Sequence, residues 1–378
     1  MGLKQKIQQL GQLTRARDWR LSFVPVIIGF VYFWLFWFDI SITWPAVLLF
    51  FLSLVTSAGF ASLGYYINEL FDIESDKKAG KINKLALISP FQRGMLLLAI
   101  VGITFLPWLW LPADRWSWIL IAAEVIFFLV YSLPFPRLKN KALVSGLVDA
   151  AYAYVIPMLL SLHTYELFAQ RTAPPFFAII IGCFFIIGYR NILVHQVNDV
   201  FKDMRSGVVT LPQKAGTIYT SRIIYACLIL EVIGVISFFA GCILVKPAMV
   251  LCLAIYFLFL IYRLYRLLPL KSGKFISIHP LRHLTDPFYQ QWFPILLLAI
   301  LICTEWKWVC LLPFHVLLVA SKPRYEKVKQ LLLWLRNGLS LFVNYGIYYA
   351  FKIFGIDLIK EKKSVVGYMK YRMRKKTN

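Results

Sequence analysis

The chain has 378 residues, of which 60% are hydrophobic and 16% are charged. One soluble core cannot absorb so much apolar sequence, whereas a series of membrane spans can. The formal net charge is +23, but the lysines and arginines lie in short loops between apolar runs and in the C-terminal tail. That placement is typical of membrane orientation, so we expect no nucleic-acid partner.

Apolar runs long enough for membrane-crossing helices recur up to residue 320. They begin near Leu21, Trp44, Met95, Trp116, Leu143, Pro175, Ile223, Val245 and Trp292. The last run is interrupted at residues 304–307, so it is either one broken helix or a hairpin of two. The sequence therefore predicts an all-α, polytopic transmembrane bundle of nine or ten spans.

Basic residues are concentrated in alternate loops. They are Lys77, Lys78, Lys81, Lys84 and Arg93 after the second span, Arg137, Lys139 and Lys141 after the fourth, and Lys202, Arg205 and Lys214 after the sixth. The opposite loops carry a lone Arg115, Arg171 or Lys246. By the positive-inside rule, the basic loops are predicted to be cytoplasmic.

The sequence changes character after residue 320. Residues 1–320 contain the apolar runs and form the predicted membrane domain, whereas residues 321–378 form an amphipathic, basic extension. This extension either lies on an anionic membrane surface or is a solvated, partly disordered end.

Three oxygen-bearing side chains recur every fourth residue where the second span ends. They are Asn68, Asp72 and Asp76, and on a helix they share one face. Each step of four residues climbs about 6 Å. We call this set the first ladder.

A second ladder ends the sixth span, with Asn191, His195, Asp199 and Asp203 at the same spacing. One ladder alone is consistent with a helix end that reaches water. Two ladders on one side of the membrane, each flanked by lysines, favour a ligand site, because stacked carboxylates near hydrocarbon are costly. Mg²⁺ offsets that cost, since it prefers oxygen ligands and shares them with substrate phosphates.

Three motifs in combination resemble the UbiA superfamily of intramembrane prenyltransferases. They are Asn68-x-x-x-Asp72-x-x-x-Asp76, Tyr131-Ser132-x-Pro134-x-x-Arg137-Leu138-Lys139 and Asp199-x-x-x-Asp203-x-x-x-Gly207-x-x-Thr210-Leu211. The resemblance runs roughly from Arg15 to Ala320. It implies a helical bundle around a central cavity that is open laterally to lipid and covered by cytoplasmic loops.

The resemblance also implies a site, residue by residue. The ligands of Mg²⁺ and diphosphate would be Asn68, Asp72, Asp76, Asp199 and Asp203, with the four aspartates as the catalytic residues. Substrate-binding residues would be Asn68, Tyr131, Arg137, Lys139, Asn191, His195 and Lys202.

Three positions depart from the family pattern. Glu69 stands where many members have aspartate, and Ser89-Pro90 replaces a common Arg-Pro, which puts the diphosphate contacts of that loop in doubt. His195 occupies a position that is often Asn, and it either binds substrate or is a packed histidine.

Other polar groups lie within or beside the predicted spans. Asp149 either faces a cavity or has a partner in the bundle, whereas Glu124 and Glu231 are expected to pair between helices or to be protonated. Segment 286–291 either caps the cavity or anchors at the interface. The six cysteines are expected to be core packing.

These expectations predict a multi-pass membrane enzyme that transfers an isoprenoid group from its diphosphate to a small acceptor, with its site facing the cytoplasm. An aromatic quinone precursor is the leading acceptor, and a phosphosugar or another lipid is the alternative. An intramembrane terpene cyclase would use the same metal site without an acceptor. An ion-coupled transporter fits less well, because it predicts charges near mid-span.

Overall fold

The computed structural model describes residues 11–16, 19, 23–78, 80, 82–206, 208–267 and 283–319, with four isolated positions after residue 320. These residues form helices joined by turns, with no strand among them. The chain divides into two compact units, Met1–Ala320 and Ser321–Asn378. All helices described below belong to the first unit. The amphipathic extension predicted for residues 321–378 lies outside the described residues, apart from those four positions.

The apolar helices follow one another along the chain. They are α1 (Val24–Trp37), α2 (Trp44–Lys78), α3 (Pro90–Leu109), α4 (Arg115–Ser132), α5 (Val144–Ala169), α6 (Phe177–Ser206), α7 (Thr217–Val245), α8 (Pro247–Leu264), α9 (Phe288–Thr304) and α10 (Trp306–Val319). In the described part of the chain, the seven from α2 to α8 are long and apolar enough to cross a membrane, and the others are shorter. The all-α membrane bundle is confirmed, while the number of spans stays a prediction.

Helix α1 lies in the interior of the bundle. Its residues from Ile28 to Trp37 are all buried, so the helix is enclosed by protein on every side. The ring centroid of Phe33 lies 5.6 Å from those of Phe177 in α6 and Phe238 in α7. Phe30 lies 5.1 Å from Phe293 in α9. Aromatic packing around α1 therefore joins the two halves of the chain.

The two helices that carry the ladders are longer than the hydrocarbon is thick. Helix α2 has 35 residues and α6 has 30. At 1.5 Å per residue they are about 52 and 45 Å long, compared with about 30 Å of hydrocarbon. Their final turns carry the acidic ends of the two ladders, and the lengths leave room for those turns to extend past the apolar layer.

The last apolar run is broken at Glu305. Helix α9 ends at Thr304, Glu305 is extended with φ −145° and ψ 105°, and α10 begins at Trp306. Glu305 Oε2 accepts a hydrogen bond from the Ile42 N–H at 2.9 Å. The interruption predicted at residues 304–307 therefore separates two helices.

The cysteines are free thiols. Cys183, Cys227, Cys242 and Cys252 are buried as expected, whereas Cys303 and Cys310 are exposed. Core packing is therefore the wrong account of those two. They lie on outward faces of an apolar bundle, where a small thiol is tolerated.

A buried ion-pair network joins α6, α7 and the start of α9. The fully buried Arg190 donates from Nε to Glu231 Oε2 at 2.9 Å and from Nη2 to Asp286 Oδ1 at 2.6 Å. Tyr289 donates its hydroxyl to Glu231 Oε1 at 2.9 Å. Burial alone would raise the pKa of Asp286, but Arg190 and the His283 contact outweigh it and lower that pKa to about 2.

Two expectations are decided by this network. Glu231 is paired between helices, as predicted. Segment 286–291 neither caps a cavity nor anchors at an interface, because Phe288 and Tyr289 are buried in the bundle. That prediction was wrong because the partner of Asp286 lies almost a hundred residues earlier in the chain.

Removing one member of this network should lower the free energy of unfolding far more than removing an exposed ion-pair partner. We expect Glu231→Ala to lower the free energy of unfolding by about 3 kcal/mol, because Arg190 Nε and the Tyr289 hydroxyl would both lose a buried hydrogen-bond acceptor. The matched control is Arg171→Ala, which removes a side chain that is 59% exposed beside Asp39; its cost should be below about 1 kcal/mol. Denaturant unfolding in detergent measures both, and equal losses would contradict this account.

Candidate functional site

A cavity of about 370 Å³ lies between α2, α4, α5 and α6. Its aromatic lining consists of Trp19, Phe23, Phe60, Tyr65, Trp108, Phe128, Tyr131, Tyr152 and Tyr154. Four of the predicted substrate-binding residues also line it, namely Asn68, Tyr131, Asn191 and His195. The first residues of the two ladders, Asn68 and Asn191, therefore line the same cavity.

A cluster of polar side chains surrounds Asp72 of the first ladder. Lys139 Nζ contacts Asp72 Oδ1 and also donates to Asn68 Oδ1 at 3.3 Å. Arg137 Nη2 donates to Asp72 Oδ1 at 3.2 Å and to Ser75 Oγ at 3.3 Å. Two cations and one carboxylate thus meet beside the cavity, brought there by segments more than sixty residues apart.

The loop after α4 has the backbone geometry that delivers both cations. Arg137 is in the left-handed region, with φ 47° and ψ 63°, and a 3₁₀ turn follows from Leu138 to Asn140. This turn directs Lys139 inward, so that only 7% of the residue is exposed. Burial lowers the pKa of Lys139, and the neighbouring Asp72 opposes that shift.

Asp76, the last residue of the first ladder, is held in place by Asn83, which the sequence pattern did not predict. Asn83 is buried, and its Nδ2 donates to Asp76 Oδ2 at 3.0 Å and to the Glu69 carbonyl at 2.8 Å. Its Oδ1 accepts from the backbone N–H of Leu85 at 3.0 Å. No periodicity marks a loop asparagine, so spacing alone had no means of finding it.

Glu69, the first departure from the family pattern, faces Arg15, with 3.4 Å between Oε1 and Nη1. Lys84 also lies within electrostatic range of Glu69, while Lys81 is outside the described residues.

Ser89, in the second departure from the family pattern, caps α3, because its hydroxyl accepts the Gln92 N–H at 3.3 Å and Gln92 Oε1 accepts the Ser89 N–H at 2.9 Å. Ser89-Pro90 therefore starts a helix.

The second ladder runs along α6. His195 Nδ1 lies 3.0 Å from Asp199 Oδ2, and Asn191 Nδ2 donates to the Tyr154 hydroxyl at 3.1 Å. His195 is exposed and lines the cavity, so it is not a packed core histidine. The side chain of Lys202 lies outside the described residues.

The two ladders approach each other around Tyr131. Asn68 of α2 and Asn191 and His195 of α6 line one cavity, and the two helices pack against each other. Tyr131 lines the cavity. The convergence expected from the charge pattern is therefore present in the bundle.

The ladders do not form a ready-made metal centre. Among the described residues, no three His, Cys, Asp or Glu side chains are close enough together to hold one metal ion. The described carboxylates are the right donors for a hard divalent ion. Their use as ligands stays a prediction, and any such ion would need further oxygens from substrate or water.

Helix α5 widens where it meets the cavity. Residues Ala151–Val155 form a π-helical turn, and Tyr152 and Tyr154 from this turn line the cavity. Pro157 follows and has no N–H to bond the carbonyl four residues earlier, which favours such a turn. Sequence reasoning missed both tyrosines, because a π turn shifts side chains off the 3.6-residue repeat.

Two further acids line the cavity. Asp149 lines the cavity, and its Oδ1 also accepts from the Tyr152 hydroxyl at 2.6 Å, so this acid has both a cavity and a partner. Glu124 is 2% exposed, and its Oε2 has no hydrogen-bond partner among the described residues. The predicted pairing of Glu124 between helices is not seen in that part of the chain.

The altered pKa of Lys139 predicts a pH effect on anion binding. Because burial lowers this pKa below the ordinary value of 10.5, Lys139 loses its charge at a lower pH than a surface lysine. Affinity for a diphosphate ligand should therefore fall as pH rises in the alkaline range.

The measurement is a titration of inorganic pyrophosphate binding between pH 7 and 10.5. Lys139→Arg keeps its charge throughout that range. Pyrophosphate itself loses a proton in this range, so the result is the ratio of wild-type to Lys139→Arg affinity, which should fall as pH rises. A decline of equal size in wild type and Lys139→Arg would show that another group titrates.

Comparison with known proteins gives one family and several structures. A model described as the UbiA prenyltransferase family matches residues 22–274. A UbiA homolog from Archaeoglobus fulgidus bound to GPP and Mg²⁺ is 18% identical, with a TM-score of 0.51 over 80% of this chain and 99% of that one. The apo UbiA homolog from Aeropyrum pernix K1 is 13% identical, with a TM-score of 0.51 over 75% and 97%.

A structure reported for digeranylgeranylglyceryl phosphate synthase in membranes is 16% identical, with a TM-score of 0.50 over 79% of this chain and 98% of that one. At these identities the structures share a fold and nothing finer. A search of curated proteins found no match.

Proposed function

This chain belongs to the UbiA prenyltransferase family, and we propose that it transfers an isoprenoid group from a prenyl diphosphate to a small acceptor. Diphosphate is released, and the acceptor is aromatic and similar to a quinone precursor. The observation that carries the proposal is the cluster of Lys139, Arg137 and Asn68 around Asp72, beside an aromatic-lined cavity.

The solved homologs support the donor class. The Archaeoglobus fulgidus protein was solved with DMAPP and Mg²⁺ and with GPP and Mg²⁺. Both ligands are allylic diphosphates. The motifs that indicate this family lie, in the present chain, at the ends of α2, α4 and α6, which surround the cavity, and in the segments that follow α4 and α6.

The donor set fits Mg²⁺. It would be held by Asp72 and Asp76 of α2 and by Asp199 and Asp203 of α6, with Asn68 as a neutral oxygen donor. Mg²⁺ typically takes one or two carboxylates, several waters and substrate phosphates, so a site without three clustered acids is suitable. When bound, the ion would neutralise the diphosphate and the charge that develops on it.

Lys139 and Arg137 are the residues suited to the leaving group. Breaking the allylic C–O bond places negative charge on the diphosphate, and cations already in position stabilise that charge without reorganisation. The planar guanidinium of Arg137 suits two phosphate oxygens, and the partly desolvated Lys139 acts as a point charge. In the described structure both contact Asp72, so diphosphate binding would exchange one anionic partner for another.

The cavity wall is suited to the isoprenoid carbon. Positive charge develops there, and the aromatic faces of Tyr131, Phe128 and Tyr152 attract a cation. The rings of Phe128 and Tyr131 stand 5.2 and 5.3 Å from that of Tyr152, measured between centroids. The same walls keep water from capturing the cation before the acceptor does.

The first two residues of the second ladder, Asn191 and His195, line the cavity. Asn191 Oδ1 is buried without a hydrogen-bond partner among the described residues, and His195 lines the same wall. We assign both to substrate binding, together with Lys202 at the diphosphate end. The basic loops next to these motifs favour a site that faces the cytoplasm.

The experiment is a pyrophosphate-release assay on purified, detergent-solubilised protein, with geranyl, farnesyl and longer all-trans diphosphates. We expect Mg²⁺-dependent release that falls at least about 100-fold in Asp72→Ala and in Asp199→Ala, because each removes charge that acts on the reacting diphosphate. The control Glu74→Ala removes an exposed acid two residues along α2 and should retain activity.

Candidate acceptors then separate the reactions. Release that requires an acceptor indicates a transferase, whereas release with a cyclised product and no acceptor indicates a terpene cyclase. If the wild-type protein neither binds nor cleaves any of the diphosphates, the prenyltransferase proposal is wrong.

A further inference from the structure

We propose that the inner end of the cavity, around Glu124, binds the hydroxyl end of a neutral aromatic acceptor and selects against acceptors that carry a carboxylate. This inference rests on the proposed function and adds the chemical class of the acceptor. It depends on which hydrogen-bonding groups at the inner end are already used by the protein.

Glu124 is a buried acid whose hydrogen bonding is incomplete among the described residues. It lies within α4, is 2% exposed, and lines the cavity. Its Oε2 has no hydrogen-bond partner among the described residues. A buried carboxyl oxygen is costly unless a donor satisfies it, so a ligand that brings a hydroxyl donor gains affinity here.

Three of the hydroxyl groups that line the cavity have already used their protons, whereas the buried Ser53 hydroxyl, which also lines it, has no hydrogen-bond partner among the described residues. Thr56 Oγ1 donates to the Thr104 carbonyl at 2.7 Å, and Thr164 Oγ1 donates to the Leu160 carbonyl at 2.7 Å. Ser57 Oγ likewise donates to the Ser53 carbonyl at 2.7 Å. All three hydroxyls line the cavity. What they can offer a ligand is oxygen lone pairs, which again favours a donor.

The charged residues that line the cavity also favour an acceptor without a carboxylate. Glu124 and Asp149 are both lining acids, whereas Arg15 is the one lysine or arginine that lines the cavity in the described part of the chain. Arg15 Nη1 is engaged with Glu69 at 3.4 Å. Because Arg15 lies over the Tyr65 ring, a carboxylate at the Glu124 end would lose its hydration without a lysine or arginine beside it among the described lining residues.

The spacing along α4 suits an acceptor that bridges the cavity. Tyr131 follows Glu124 by seven residues, which is about 10 Å along the helix axis. Tyr131 lies at the diphosphate end and Glu124 at the inner end. Phe128 and Trp108 line the space as flat apolar walls. A planar ring system can therefore place a hydroxyl at Glu124 while its reacting carbon points toward the diphosphate.

The test compares two probes that differ by one carboxylate, 1,4-dihydroxynaphthalene and 1,4-dihydroxy-2-naphthoate. Binding is measured anaerobically by calorimetry on the full-length protein in detergent, with and without Mg²⁺ and geranyl S-thiolodiphosphate, which resists ionisation. We expect wild type to bind the neutral probe at least tenfold more tightly than the carboxylate. Glu124→Gln should weaken the neutral probe about tenfold and narrow that ratio, because an amide NH₂ replaces an acceptor oxygen.

The control is Glu166→Gln, an acid of α5 that does not line this cavity, and it should leave both affinities unchanged. Thermal unfolding of each variant checks that the fold is kept. Equal or tighter binding of the carboxylate by wild type, an unchanged ratio in Glu124→Gln, or no binding of either probe would each overturn the inference. The inference would also be overturned if Glu124→Gln lost affinity for the geranyl analogue and not for the aromatic probes, since the inner end would then hold the prenyl tail.

The two proposals fail in different ways. Absence of Mg²⁺-dependent pyrophosphate release, with selective binding of the neutral probe intact, contradicts the prenyltransferase proposal alone. Normal release with no selectivity between the probes contradicts the acceptor assignment alone.

Discussion

A charge placed beside hydrocarbon has to be compensated by a partner within a few ångströms, and this constraint organises both the bundle and its site. The chain meets it in two different ways. In the interior, Arg190 offsets Glu231 and Asp286, and His283 also contacts Asp286. Lys139 and Arg137 offset Asp72 where the side chains remain partly accessible.

The two clusters have different consequences because they differ in solvent access. Separating α6, α7 and the start of α9 would break several buried hydrogen bonds around Arg190, so this network holds the three segments together. Arg190 directly precedes Asn191, the first rung of the second ladder. By fixing the rotation of α6, the buried network also fixes which residues of that helix face the cavity.

The cluster around Asp72 is suited to exchange. Its partners come from a loop, and the cations that neutralise the aspartate are the same ones that we assign to the diphosphate. An incoming anion with its counter-ion can replace these contacts at little net electrostatic cost. A site of this kind is assembled before substrate arrives and needs only local rearrangement when substrate binds.

Sequence patterns predicted those features that depend on local periodicity. The apolar runs predicted the helices, and the four-residue spacing predicted the faces of Asn68, Asp72, Asn191 and His195. Positive-inside charge predicted that both ladders lie on one side, and their approach at Tyr131 is consistent with that.

Features that depend on distant contacts were missed. Asn83 is in a loop without a repeat, the π turn at Tyr152 and Tyr154 breaks the helical repeat, and Asp286 meets Arg190 from almost a hundred residues away. The exposed Cys303 and Cys310 were assigned to the core because lipid-facing and buried positions are equally apolar.

The central claim is that the two ladders bind one diphosphate between them. A structure of the protein with Mg²⁺ and geranyl S-thiolodiphosphate tests it most directly. The account predicts Mg²⁺ at about 2.0–2.1 Å from carboxylate oxygens, with Asp72 and Asp199 both bound to the ions that hold the diphosphate, and with Lys139 turned from Asp72 to a phosphate oxygen. A diphosphate held by one ladder alone, or at a site away from this cavity, would contradict it.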